Sequence, residues 1–234
     1  MDGKTERPDP ALGVPFAKLA GEPLWKELLR EGWPRRHRAG ETLLRQGAAG
    51  THVLALTDGV VKVLRVERDG RERVLAFRGA GDVVGEAAVL EDSERRLASV
   101  VAIGDVTVVV VEKRGFTRFV ARHGLSPVLT RHALTRLRES DRARGGCGSR
   151  ERVARALLAL ALASDGGRTG DGTELSVTRA ELAQYLGVSR NTVSAALRGI
   201  GDRVVAAERG CVVVHDVAAL RAVARETDGP HADT

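Results

Sequence analysis

The chain has 234 residues, a net charge of +6 and a pI near 10, enough for a sizeable core and two domains. It lacks any run of about 18 apolar residues, and its first ten residues are charged and proline-bearing without an apolar core. This argues against a transmembrane helix and a signal peptide, and the expectation is a cytoplasmic protein with no membrane partner. Two cysteines, Cys147 and Cys211, exclude a disulfide framework and a four-cysteine iron–sulfur cluster.

Aromatic residues make up only 3% of the chain, so the core must be built from small aliphatics. The basic total permits a nucleic-acid partner. Its distribution is less helpful: residues 1–145 hold 26 basic and 20 acidic groups, whereas from Gly146 onward 11 arginines balance 11 acids. Any DNA face must come from the local arrangement of arginines.

In chain order, residues 1–14 read as a disordered N-terminus. Phe16, Leu19, Leu24, Trp25, Leu28 and Leu29 predict one or two short helices broken at Gly21 and Pro23. From Trp33 to Val111, short runs of Val, Leu and Thr recur between glycines: 53–56, 60–66, 73–77, 99–102 and 106–111. Many short strands at this spacing predict a β-sandwich or barrel-like roll over 15–124.

A helix follows, with Ser126 as cap and Pro127 in its first turn, reaching about Arg144. Leu125, Val128, Leu129, His132, Leu134 and Leu137 give it an apolar side. An isolated helix of this length is marginal, so it packs either on its own domain or on an identical helix of a second chain. Gly145, Gly146 and Gly148 around Cys147 then make a flexible joint, which places a dimerisation helix and hinge at 125–148.

Residues 149–225 read as the second domain and 226–234 as a tail. Ser149 is the expected cap of a helix burying Val153, Leu157, Leu160 and Ala161. Residues 164–172 are a loop and 175–177 a short strand. Thr178 followed by Glu181 is a capping box that starts the next helix, with Leu182, Ala183 and Leu186 as its buried stripe. Gly187 ends it in a left-handed cap. Ser189 caps another helix with Val193, Ala196, Leu197 and Ile200 at core spacing.

The face left over carries Arg190, Asn191, Ser194 and Arg198. Such groups near a helix start are suited to base edges and phosphates, although an αα-hairpin with polar residues in water has the same spacing. Residues 204–207 and 211–214, around Arg209 and Gly210, read as a β-hairpin, and Asp216 caps a last helix. Helix, helix and hairpin make a winged helix-turn-helix.

A β-roll, a long helix, a hinge and a winged helix-turn-helix in that order resemble the Crp/Fnr family of bacterial transcription regulators. Thr178, Arg179, Gly187, Ser189, Arg190, Thr192, Val193 and Leu197 match the family's helix-turn-helix pattern. The run Gly81-Asp82-Val83-Val84-Gly85-Glu86-Ala87-Ala88-Val89-Leu90, followed by residues 94–98, looks like a cyclic-nucleotide phosphate-binding cassette.

The resemblance implies an α+β fold, with an N-terminal antiparallel β-roll, a long dimerisation helix and a C-terminal winged helix-turn-helix. It implies a homodimer bound to a double-stranded DNA operator, with RNA polymerase as a candidate further partner. In the cassette, backbone N–H groups of Glu86, Ala87 and Ala88 after Gly85 would bind an anion. Arg96 would fork onto the phosphate of cyclic AMP or another cyclic nucleotide, and Glu86 would accept the ribose hydroxyl.

One position departs. Where cyclic-AMP-binding members carry Ser or Thr, this chain has Leu97, which loses one hydrogen bond to a charged acceptor, about 1.5–3 kcal/mol. The long-helix residues expected at the base are Ser140 and Asp141. The pocket is therefore read as degenerate or altered, with Glu86 pairing Arg96 as the ligand-free alternative and working cyclic-AMP gating as the other.

On DNA, Arg190 would fork onto guanine and Asn191 onto adenine. Arg179, Ser189, Thr192 and Arg198 would contact phosphates. Ser194 offers little beyond a thymine methyl contact. No catalytic constellation or metal-ligand spacing is legible, so an enzyme is not expected. A regulatory module that docks on proteins is the remaining rival.

Overall fold

The structure is a computed structural model that describes residues 14–90, 95–144, 148–164, 168–169 and 172–225, without the side chains of 139–144 and 168–169. The expected disordered N-terminus up to residue 13, the glycines and cysteine at 145–147, Glu94 and the tail lie outside the described residues.

Two short helices open the fold, α1 (Phe16–Ala20) and α2 (Glu22–Arg30). Gly21 separates them at φ 91°. Pro23 does not break the chain as expected. It sits in the first turn of α2, where its missing N–H has no intrahelical partner to lose.

The roll follows: β1 (Trp33–His37), β2 (Thr42–Leu44), β3 (His52–Asp58), β4 (Val61–Val66), β5 (Glu72–Arg78), β6 (Val83–Val84), α3 (Ala87–Leu90), β7 (Ser99–Ala102) and β8 (Val106–Glu112). Two antiparallel sheets form, in the orders β1-β8-β3-β6 and β2-β7-β4-β5. Between them lie Leu44, Leu54, Leu56, Val61, Val84, Val100 and Val108.

The first sheet is also covered on its other face. There Val53, Ala55, Val109 and Val111 meet Phe16, Leu28, Phe116 and Phe119. Burial on both faces is why β3 and β8 read as unbroken apolar runs rather than alternating ones. Phe116, Phe119 and Val120 belong to α4 (Lys113–Arg122), a helix not anticipated from the sequence.

The long helix α5 spans Ser126–Arg144 and ends where expected, but Ser126 is its first helical residue instead of its cap; the Leu129 N–H already bonds the Leu125 carbonyl at 2.9 Å. One side docks on its own roll through Val128, Leu129 and the buried His132. The other side leaves Leu134 at 50% and Leu137 at 65% exposure.

The C-terminal domain contains α6 (Ser149–Ala163), β9 (Arg168–Thr169), β10 (Gly172–Leu175), α7 (Arg179–Leu186), α8 (Arg190–Ile200), β11 (Val205–Ala207), β12 (Val212–Val214) and α9 (Val217–Arg225). Three expectations are corrected. Gly148, not Ser149, is the N-cap of α6; the loop expected over 164–172 holds β9 and the start of β10; and the strand ends at Leu175 instead of running over 175–177. The wing is wider than a hairpin, with order β11-β12-β10-β9. Asp216 does cap α9, its Oδ1 accepting from the Ala219 N–H at 2.9 Å.

Val60, Leu64, Val74, Phe77 and Ile103 of the roll share one core with α6, α7, α8 and α9. The outer face of the second sheet is thus the seat of the C-terminal domain. No helix among the described residues is long and apolar enough to cross a membrane.

Candidate nucleic-acid interface and effector pocket

The α7–α8 pair is assembled by short-range bonds. Thr178 Oγ1 accepts from the Glu181 N–H at 3.2 Å, and Glu181 Oε2 accepts from the Thr178 N–H at 2.8 Å, closing the capping box. Gly187 takes φ 66°, ψ 34°, a left-handed conformation that favours glycine. The Val188 N–H then returns to the Ala183 carbonyl at 3.0 Å. Ser189 Oγ accepts from the Thr192 N–H at 3.0 Å and starts α8.

Val193, Ala196, Leu197 and Ile200 of α8 are buried. Arg190, Asn191 and Arg198 stand exposed on the same helix, with Ser194 half-buried; Arg179 at the start of α7 is also exposed. The Ser189 and Thr192 hydroxyls bond each other at 2.8 Å, so both help to hold the cap. Arg190 and Asn191 lie at the helix start, where side chains can donate to base edges.

Helix α7 is tied to the roll. The second carboxylate oxygen of Glu181 accepts from Lys62 Nζ on β4. Gln184 Oε1 accepts from the Val74 N–H of β5 at 3.0 Å. The Tyr185 ring meets Phe77 edge-on with centroids 4.8 Å apart.

The cassette lines a cavity of about 280 Å³ inside the roll. Its apolar walls include Leu44, Val63, Leu75, Ala76, Val84 and Val100, and Gly85, Glu86, Ala87, Ala88, Arg96 and Leu97 border it. Arg96 is only 4% exposed, and burial pushes its pKa down. Its Nη2 donates to the His52 carbonyl at 2.7 Å. Its Nη1 is buried and has no hydrogen-bond partner among the described residues.

A Cβ on Gly85 would collide with that nitrogen and stand 2.8 Å from Leu44 Cδ1. The glycine therefore makes room for the guanidinium. The Glu86–Arg96 pairing of the ligand-free alternative is not what forms among the described residues: Arg96 has turned to the His52 backbone. Glu86 is half-buried, and burial raises its pKa against the pull of its own backbone N–H, His132 and Arg78. Leu97 is 65% exposed at the rim. Its exposed position leaves the phosphate end without the hydroxyl that Ser or Thr would supply.

The α5 residue that reaches the cavity is Arg136; the side chains of Ser140 and Asp141 lie outside the described residues. Arg136 Nη2 is 2.9 Å from Asp82 Oδ1 and 2.9 Å from His132 Nε2. His132 Nε2 is 3.3 Å from the same Asp82 oxygen, which also accepts from the Phe16 N–H at 3.2 Å. The Phe16 ring stands edge-on to His132. Arg136 Nη1, like Arg96 Nη1, is buried without a partner among the described residues.

Arg78 and Arg136, which line the cavity, and Asp82, which holds Arg136, were not foreseen in these places. The available signal was the four-residue spacing of His132 and Arg136, which puts a cation beside a buried histidine on one helix face.

Comparison with known proteins places these sites in context. Residues 34–123 match the cyclic nucleotide-binding domain and residues 151–223 the Crp-like helix-turn-helix domain. The chain is 32% identical over 199 residues to the cyclic AMP receptor protein of Thermus thermophilus, covering 81% of this chain and 87% of that protein. It is 26% identical over 183 residues to the cAMP-activated global transcriptional regulator CRP of Salmonella typhimurium, covering 76% and 87%. A solved CRP-family transcriptional regulator of Thermus thermophilus has a TM-score of 0.62 at 26% identity, over 82% of this chain and 97% of that one.

Proposed function

The chain belongs to the Crp/Fnr family, with a cyclic nucleotide-binding domain and a helix-turn-helix DNA-binding domain, and on that premise we propose that it is a homodimeric regulator whose α8 helices read a double-stranded operator under an altered effector pocket. The observation that carries the DNA reading is α8 itself. Its residues Val193, Ala196, Leu197 and Ile200 are buried inside the domain, while Arg190, Asn191 and Arg198 remain exposed on a helix whose start Ser189 caps. Arg190 forks onto guanine and Asn191 onto adenine. Arg179, Ser189, Thr192 and Arg198 position the helix on phosphates, and Ser194 borders the base edges.

Leu134 and Leu137 support the dimer. They lie three residues apart on the side of α5 that its own roll leaves exposed, and a second copy of α5 covers them in a two-fold seam. Two α8 helices then meet major grooves about 34 Å apart.

The effector acts through the second sheet. Val63, Leu75 and Ala76 face the cavity, while Lys62, Val74 and Phe77 of the same strands hold α7. A cyclic nucleotide bound at Arg96 and Glu86 shifts the domain about the 145–148 joint only insofar as it favours one seat of α7 over another.

The test is an operator recovered by selection from random duplexes, followed by binding of an Arg190→Ala, Asn191→Ala double variant. Each lost bidentate contact removes about 1–3 kcal/mol of discrimination. The variant should bind operator and scrambled duplex alike. Retained preference would assign the reading to another surface, and failure to recover any operator would favour a protein-docking module.

A further inference from the structure

A second cleft, of about 910 Å³, opens beside the edge strand β1 and shares no lining residue with the effector pocket. Trp33, Arg35 and His37 of β1 all line it, since alternate residues of a strand point to one face. Trp33 pairs with Val110 of β8, and Val110 pairs with Leu54 of β3. One apolar row thus crosses three strands, a span of roughly 10 Å at the usual strand spacing. Leu54 and Val110 form a buried floor, while Trp33 at 49% and Leu90 of α3 at 41% exposure stand open to solvent.

The polar lining is unbalanced. Arg35, Lys113 and Arg114 bring cations to the cleft against the carboxylate of Glu112. Arg35 and Arg114 are exposed, and their guanidinium groups enter no hydrogen bond or ion pair among the described residues. Burial, then Arg96 and then Arg35, pushes the His52 imidazole below its ordinary value. Its ring is therefore uncharged at neutral pH, and the arginines supply the positive charge.

We propose that this cleft binds a fatty carboxylate, with its chain along the Trp33–Val110–Leu54 row and its head group on the unpaired arginines. A guanidinium forks onto a carboxylate, and an apolar chain is stabilised by covering Trp33 and Leu90. A cleft of about 910 Å³, some three times the effector pocket's 280 Å³, lies near the upper end for ligand sites. A short or single-ring acid would leave most of it unfilled. The proposal does not rest on the cyclic-nucleotide reading, and either can fail alone.

Trp33 supplies the readout, because the chain has two tryptophans and the other, Trp25, is buried. The full-length protein is titrated with dodecanoate below its micelle concentration, and separately with dodecanol and acetate, by fluorescence and calorimetry. Dodecanoate should bind saturably, one per protomer, and shift the tryptophan emission. In Trp33→Phe the emission change should vanish while the heat of binding remains. An Arg35→Gln, Arg114→Gln double variant should weaken dodecanoate at least about tenfold and leave dodecanol unchanged. All three substituted positions are exposed, so the variants should fold as the native chain does.

Dodecanol binding as tightly as dodecanoate would take the carboxylate out of the recognition, and acetate binding as tightly would reduce the cleft to an anion site. Either result overturns the proposal, as does a double variant with native affinity. An emission change that survives in Trp33→Phe places the ligand elsewhere, and uptake of many molecules per protomer is surfactant adsorption; both also overturn it. The absence of any heat up to the micelle concentration does so outright.

Discussion

In the α7–α8 pair, the capping partners lie three residues apart in sequence and the reading groups stand in solvent. In the pocket, Arg96 is held by a carbonyl 44 residues away and His132 by a carboxylate 50 residues away, and the recognising nitrogens are buried. The first site is held by bonds between near neighbours in sequence. The second is assembled from residues of two sheets and α5 that lie far apart in sequence. A locally determined site tolerates change around it and fails at its own residues, whereas a site assembled from distant segments fails wherever its supports move.

The strongest test of that difference is Gly85→Ala. The added methyl would fall on Arg96 Nη1, and the φ of 85° is itself unfavourable for alanine. Losing one charge-assisted bond of about 1.5–3 kcal/mol predicts roughly a 10- to 100-fold drop in nucleotide affinity by calorimetry. Unchanged affinity would show that the guanidinium can reach its ligand by another path.

A smaller effect is expected at the other site. Thr178→Ala removes the side-chain half of the capping box and should cost about 1 kcal/mol in denaturant unfolding. Because the cap is local, nucleotide affinity should hold steady. If affinity falls as well, the two sites are less independent than their construction suggests.

The smallest effect concerns pH. Burial raises the Glu86 carboxyl above its ordinary range, so the folded chain holds that proton more tightly than the unfolded one. The associated stability is complete below the unfolded value of about 4.3 and is lost as pH rises through the higher folded value. Glu86→Gln should flatten that part of the thermal-midpoint profile. An unaltered profile would mean that another group carries the slope.

These contrasts also explain what could be read in advance. Thr178, Glu181, Gly187 and Ser189 announce their roles because caps and left-handed glycines depend on neighbours in sequence. The strands β3 and β8 were legible as apolar runs. Strand β1 was not, because Trp33-Pro34-Arg35-Arg36 is exposed and carries no alternation. Helix α4 was not anticipated: Lys113-Arg114-Gly115 opens it without an apolar stripe, and Phe116 and Phe119 find their role only against the sheet.

In the pocket, Gly85, Glu86 and Arg96 could be picked out by resemblance. The turn of Arg96 toward His52 could not, nor could Arg136 beside Asp82, since both follow from how the sheets and α5 meet.

One carboxylate crosses the divide. Glu181 caps α7 with one oxygen and holds Lys62 of the roll with the other. Regulators of this layout invite the construction of chimeras, cut at the joint between sensor and reader. Here such a transplant would set Glu181 against a foreign strand, with its helix start intact and its anchor gone. A working exchange would have to carry Lys62, Val74 and Phe77 along with the C-terminal half, so the functional unit of inheritance is larger than the domain boundary implies.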